Sequence, residues 1–244
     1  MEKRRAELPA RAAAKALASS MGRQETSSPA DSESRLLGSR PRSQFHRGHI
    51  LSRSFYERET EIVAREMLGT VLECDTDDGR ASGIIVETEA YLGEHDLACH
   101  AAAGRTARTE PLYGPPGTSY VYFIYGMYWC FNAVTRAEGL PSAVLVRALE
   151  PLEGIALMHK RRPRIKSDAE LTNGPGKLCT ALGITGSLSA KSLQRKPLVI
   201  REGERVPDDS VEVTTRIGIT KSADWPLRWI VKGNRFVSRG KLSA

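Results

Sequence analysis

Residues 118–135, TSYVYFIYGMYWCFNAVT, constrain the fold more than any other part of the chain. Tyr, Phe, Trp, Val and Ile dominate the stretch. These residue types suit a pleated, half-buried surface, and the β-branched ones are stiff in a helix. Gly126 lies near the middle and supplies the backbone freedom that a tight reversal needs. The pattern predicts a β-hairpin with its tip at Tyr125-Gly126-Met127. The longest apolar run of the chain, Val121 to Phe131, falls in the same stretch. It is too short to span a bilayer, which takes about 20 residues, so no integral membrane protein is expected.

Periodicity and turn residues place the remaining elements around this hairpin. Ile62, Val63, Met67 and Leu68 form one face of an amphipathic helix over 56–68, stopped by Gly69. Thr70–Cys74 and Ser82–Leu92 read as strands joined by a turn at Asp77-Asp78-Gly79. Residues 93–118 carry four glycines and three prolines and read as a long irregular connection, the kind that is usually functional or disordered. Ala143–Leu149 is a strand. Pro151 is expected to open a helix that fades at Lys160-Arg161-Arg162-Pro163, and Gly174-Pro175 to open another through Leu182, capped by Gly183. Leu198–Arg201, Val211–Ile219 and Trp229–Val231 read as short strands. No internal repeat is evident. Antiparallel strands with interspersed helices make the class α+β, not a doubly wound parallel sheet.

The formal net charge is +7, but residues 1–50 hold ten Lys/Arg against five acids, so the rest of the chain carries only +2. Basicity therefore says little about the folded part. The head, residues 1–45, is rich in Ala, Arg and Ser and too poor in large apolar residues to offset its chain entropy. It is expected to be a disordered tail ahead of one domain over 46–244. It serves as a solvated tail, a basic arm for polyanions or an organelle transit peptide, although Glu2 and Glu7 do not suit transit. An apolar secretion core is missing. Cys74, Cys99, Cys130 and Cys179 form no Cys-x-x-Cys pair and have no zinc-like His spacing. They read as reduced core thiols of an intracellular protein, with no metal or iron–sulfur site.

Three places conflict with their surroundings. Glu87 and Glu89 end an apolar strand, and alternation sets them on one face with Ile85 and Tyr91. An acid there is either a salt-bridged strand end or a group tuned for proton transfer. Arg147 shares a face with Leu145 and Leu149, so it needs a carboxylate partner or a polar cleft. The hairpin packs six aromatics into ten residues. Each has a core-packing explanation, yet Tyr125, beside the tip glycine, suits a wedge between stacked bases. Tyr91 and Tyr122 suit platforms for a base, and Asn132 an amide for a base edge. Two weaker signals are the basic run Lys160–Lys166, most simply a solvated helix end, and Asn173-Gly174-Pro175-Gly176-Lys177, whose amides and lysine suit a phosphate. The latter also faintly resembles an incomplete helix-hairpin-helix.

On these residues the chain resembles the alkyladenine (3-methyladenine, or N-methylpurine) DNA glycosylase family. The segments that carry the resemblance are RE-LG at 65–69, IVETEAYLGEHDLACH at 85–100, PGTSYVYFIYGMYWCFN at 116–132, VLVRALEPLEG at 144–154, NGPGKLCTALGI at 173–184 and RIGITKSADWPLRWIVKGN at 216–234. They cover roughly residues 51–240 in the family's order. The resemblance implies a single domain with a curved antiparallel sheet and a protruding hairpin, and no metal or organic cofactor. It implies Glu89 as the base that activates water and Arg147 as an aid in holding that water. Tyr91, His100 and Tyr122 line the pocket for an everted base, Asn132 disfavours guanine's exocyclic amine, and Tyr125 fills the gap in the duplex. Arg105 and Lys177 are assigned to the DNA backbone. The expected activity is hydrolysis of the N-glycosidic bond of alkylated or otherwise damaged purines in double-stranded DNA by an intracellular monomer, leaving an abasic site. Where the family usually has an Arg-Asn pair and a Met, this chain has Arg108-Thr109 and Leu112. Two other classes fit parts of the pattern. A non-catalytic nucleic-acid-binding module would need the hairpin but not Glu89 with Arg147. A sugar hydrolase would use Glu87 and Glu89 as a pair, about 7 Å apart on one strand face.

Overall fold

β1 (Val71–Thr76) and β2 (Gly79–Tyr91) form the hairpin on which the sheet is built, in a computed structural model that describes residues 48–238. The basic head, read as a disordered tail over 1–45, lies outside the described residues. The turn between β1 and β2 occupies Asp77-Asp78, and Gly79 follows with φ of 124°. β3 (Ser119–Ile124), β4 (Tyr128–Thr135) and β5 (Ser142–Glu153) follow, then β6 (Leu198–Arg201), β7 (Val211–Thr214) and β8 (Arg228–Val231). The sheet order is β3-β4-β5-β2-β1-β6, and every pairing is antiparallel. β2 is long enough to hold two neighbours on one side. Its first half pairs with β1 and Glu87–Glu89 pair with β8, which in turn pairs with β7.

Residues 48–238 are thus an α+β unit built on an open antiparallel sheet. Four short helices accompany it: α1 (Arg53–Tyr56), α2 (Thr60–Glu66), α3 (Ile155–Arg161) and α4 (Pro175–Leu182). The expected single helix over 56–68 is two, because the chain leaves helical geometry at Glu59 before restarting at Thr60. Pro151 does not open a helix. It sits inside β5 opposite Gly83, next to a register shift, which is where a residue without an N–H is tolerated in a sheet. The helix starts four residues later, after Gly154 turns the chain with φ of 72°. Likewise only Val211–Thr214 of the expected strand 211–219 is extended in a ladder. α4 and its Gly183 cap fall where the sequence sets them.

Alternation gives the β3–β5 sheet two different faces. Phe131, Ala133 and Val144 point into the main core with Val63, Ala64 and Met67 from the α2 region and Leu178, Cys179 and Leu182 of α4. Tyr120, Val134 and Ala143 point the other way and pack with Cys99, Ala101, Leu112 and Tyr113 of the 93–118 connection. That connection is irregular apart from 3₁₀ turns at His100–Ala103 and Glu110–Tyr113. All four cysteines are buried and free. No helix among the described residues is long and apolar enough to cross a membrane.

Candidate active site

Two β-bulges build the centre of the site. Between Ile85 and Glu87 the pairing of β2 with β5 gains Val86, and between Glu87 and Thr88 it gains Arg147 on β5. A bulge re-aims the side chains around it and bends the strand. Here Ile85 and Leu149, expected to share faces with Glu87 and Arg147, join the main core instead. Leu145 and Arg147 line a cleft of about 340 Å³ on the other side of the sheet. Its wall includes Tyr91, His100, Tyr122, Asn132 and Tyr125, so the structure brings together every residue assigned from the sequence to the base pocket.

Glu89 lies beneath the floor of this cleft and is fully buried. Its Oε2 accepts from the Tyr91 hydroxyl at 2.9 Å. Its Oε1 accepts from the Ile217 N–H at 2.8 Å and faces Arg147 Nη1 at 3.2 Å. The three residues that hold it, Tyr91, Arg147 and Ile217, themselves line the cleft. A carboxylate has about four acceptor positions, so a position remains for a water. Burial pushes the Tyr91 phenol well above its ordinary range, and the charge of Glu89 adds to this, so it stays a donor. Burial alone would lower the Arg147 pKa, but Glu89 and Glu87 outweigh it and hold the guanidinium charged.

Glu87 is also fully buried, but its oxygens are occupied. Oε1 accepts from Arg147 Nε at 3.0 Å, Arg228 Nε at 2.7 Å and the Ser238 hydroxyl at 2.8 Å, and Oε2 accepts from the Ser238 N–H at 2.6 Å. A carboxylate so saturated is not poised for proton transfer, which removes the support for a sugar hydrolase with Glu87 and Glu89 as its working pair.

The aromatic wall is a packed group. His100 meets Tyr122 edge-on at 4.4 Å between ring centroids and Tyr120 at 5.9 Å. His100 Nδ1 is 2.8 Å from the Tyr120 hydroxyl. Burial lowers the His100 pKa, and the charge of Arg108 lowers it further, so the ring is neutral near pH 7 and keeps one N–H to donate. The Asn132 amide donates to the Tyr120 carbonyl at 3.1 Å, which fixes its orientation. At the hairpin tip Tyr125 and Gly126 both have positive φ, 54° and 68°, as in a primed hairpin turn. The turn leaves Tyr125 77% exposed beside an exposed Met127 and a partly exposed Tyr128. The tip end of the hairpin is braced by α4, where a Cβ on Gly176 would stand only 2.8 Å from Tyr128.

The two cations assigned to the DNA backbone are otherwise engaged. Arg105 makes a bidentate pair with Glu110 at 2.8 and 2.6 Å and lies over the Tyr113 ring. Lys177 donates to Asn173 Oδ1 at 2.8 Å. Sequence reasoning passed over Tyr120, over Arg108, whose guanidinium lies over Tyr122, and over the buried Asp96–Arg216 pair. Arg216 Nη2 meets Asp96 Oδ1 at 2.8 Å and its guanidinium lies 4.7 Å from the centre of the Tyr91 ring. Asp96 and Arg216 stand inside segments that carry the family resemblance, but neither has a local pattern that announces a partner 120 residues away. Among the described residues no group of three or more His, Cys, Asp or Glu is disposed to hold a metal ion.

This combination, an antiparallel sheet whose bulged strands set a buried Glu–Arg pair under an aromatic cleft with a tyrosine-tipped hairpin at its rim, is that of a base-excising DNA glycosylase. The methylpurine-DNA glycosylase family model matches residues 54–235, and the chain belongs to that family. Among its relatives is a protein of Myxococcus xanthus that is 47% identical over 193 residues, covering 78% of this chain and 94% of its own length. Others come from Clostridium acetobutylicum, 46% identical over 77% of this chain and 97% of its own length, and Carboxydothermus hydrogenoformans, 46% identical over 78% and 99%. All three are provisionally named 3-methyladenine DNA glycosylases.

Proposed function

We propose that this protein repairs DNA as a monofunctional 3-methyladenine-type glycosylase, everting damaged purines from a duplex and hydrolysing their N-glycosidic bond with a water activated by Glu89. The observation that carries this reading is the Glu89–Arg147 pair directly beneath an aromatic cleft. A base inside a duplex is unreachable, and turning it out costs a few kcal/mol, less for a damaged base. Tyr125 at the hairpin tip is suited to fill the vacated stack. Tyr91 and Tyr122 offer faces to the everted base. Alkylation at N3 or N7 makes the purine cationic, and an aromatic face favours a cation by roughly 0.5 to 2 kcal/mol. With the Tyr120 hydroxyl donating to Nδ1, neutral His100 keeps an Nε2–H for a purine acceptor. Asn132, locked by its bond to Tyr120, is suited to exclude an exocyclic amine.

For the chemistry, a water takes the position on Glu89 that Tyr91, Arg147 and Ile217 leave open. The carboxylate takes a proton from that water as it attacks C1′, and its negative charge stabilises the oxocarbenium-like sugar. Water attack leaves an abasic site with the strand intact. The lesions to be expected are 3-methyladenine and 7-methylguanine, with hypoxanthine and ethenoadenine as further candidates. The protein would act as an intracellular monomer on double-stranded DNA, its domain spanning 46–244 behind a solvated head.

Incubation with dimethyl-sulfate-treated duplex DNA tests the reading. Free methylated purines should appear together with alkali-labile but uncleaved strands. DNA binding without release of any purine would show a non-catalytic binding module instead.

A further inference from the structure

The proposed reaction leaves one buried acid without a task. Glu87 stands two residues before Glu89 at a bulge and is fully buried, and its carboxylate takes four hydrogen bonds. Its partners come from three separate parts of the chain: Arg147 on β5, Arg228 on β8, and Ser238, the last of the described residues. Leaving such a charge in the core is costly unless every partner is in place, and all of them meet beside Arg147. That arginine divides itself between the two acids, with Nε on Glu87 and Nη1 toward Glu89.

Resting on the reading of Glu89 as the base, we propose that Glu87 is a positioning residue for the excision reaction. It anchors Arg147 so that the guanidinium points at Glu89 and the cleft, and it balances the charge of the two arginines that meet there. Arg228 and Ser238 complete the anchor, which makes the end of the described chain part of the machinery although it does not line the cleft. Two arguments favour positioning over simple packing. A buried strand end needs one counter-ion, whereas Glu87 has two arginines and both donors of Ser238. Moreover, the Arg147 bulge gains nothing for the core, since it takes the side chain out of the apolar face and toward the acids.

The charges around Glu89 make the proposal specific. Tyr91 faces it from its own strand, Arg147 from β5, Tyr122 from β3, Cys130 from β4 and Arg216 from the segment after β7, while Glu87 acts on it through the Arg147 guanidinium they share. Arg228, opposite Glu89 in the β2–β8 ladder, is balanced through Glu87. Removing the charge of Glu87 leaves excess positive charge beside the catalytic carboxylate. Removing the charge of Arg228 does the reverse.

The test is single-turnover release of 7-methylguanine from a duplex carrying one such base, measured from pH 4.5 to 8 for the wild type, Glu87→Gln, Glu87→Asp, Arg228→Gln and Glu89→Gln, with binding to the same duplex measured alongside. Glu87→Gln should bind the duplex like the wild type, release base roughly 10- to 100-fold more slowly, and show an acid limb moved to lower pH. Arg228→Gln should move the acid limb up, and Glu87→Asp should recover part of the rate with the wild-type limb. Opposite shifts are a signature that general damage to the fold does not produce. If Glu87→Gln fails to fold, an upward limb in Arg228→Gln together with a wild-type limb in Glu87→Asp still supports the proposal. Limbs that coincide in all folded Glu87 and Arg228 variants, with Glu89→Gln inactive, overturn it and leave the underlying reading intact. Equal release by the wild type and Glu89→Gln removes Glu89 as the base, and this proposal with it.

Discussion

Tyr125 shows what a single side chain contributes. It occupies a positive-φ position that disfavours a bulky residue, and its ring is exposed instead of packed. Neither feature helps the fold, so both point outward to a partner. Tyr125→Ala should leave thermal stability nearly unchanged, as exposed substitutions do within about 0.5 kcal/mol. Affinity for a lesion duplex should fall by roughly 10- to 100-fold, the loss of one stacked base. Fluorescence-anisotropy titration checks this, and unchanged affinity and excision would remove the wedge. This residue was legible because a glycine beside a tyrosine in an alternating aromatic run specifies a turn and what stands on it. Glu89 and Arg147 were legible as charges on apolar faces. Their geometry was not, because the bulges at Val86 and Arg147 shift the alternation on which the facing argument rests, and nothing local in the sequence encodes a bulge. Arg105, assigned to a phosphate from the sequence, is paired in the structure with Glu110, five residues away.

Among the elements, the segment after β7 has the clearest dependence on one contact. Residues 216–219 have no strand partner, yet Ile217, Gly218 and Ile219 line the cleft and the Ile217 N–H holds Glu89. The Asp96–Arg216 pair anchors them. Both side chains are fully buried, and Arg216 donates also to the Ala90 and Ser222 carbonyls. Asp96→Asn leaves the guanidinium without its counter-ion, a change that costs about 3–5 kcal/mol. A domain of this size should then melt on the order of 10 °C lower, and base release should slow even below that temperature. Calorimetry with a parallel excision assay decides the matter; a melting point within a degree or two of the wild type would mean that the segment is held by something else. The sequence suggests a strand through 211–219. Ile217 and Ile219 instead serve the cleft, while Val211 joins the core, Val213 is exposed, and the ladder stops at Thr214. The failed helix start at Pro151 has a similar origin, since a proline beside a bulge looks locally like one at a helix N-terminus.

For the molecule as a whole, charge and catalysis are separated along the chain. Residues 1–47 carry a net +5, while the family match and the cleft lie in residues 54–235. A chain beginning at residue 48 should therefore excise at the wild-type rate on saturating DNA. It should bind damaged and undamaged duplexes more weakly by a similar factor, with a shallower dependence on salt. Binding titrations at several salt concentrations test this, and a loss confined to lesion DNA would assign the head a part in recognition. The central claim, however, concerns one carboxylate. Measured on a duplex bearing a single methylated purine, Glu89→Gln should bind as tightly as the wild type and release the base roughly 100- to 10,000-fold more slowly, the usual contribution of a general base. Release by that variant within a few-fold of the wild-type rate would contradict the account.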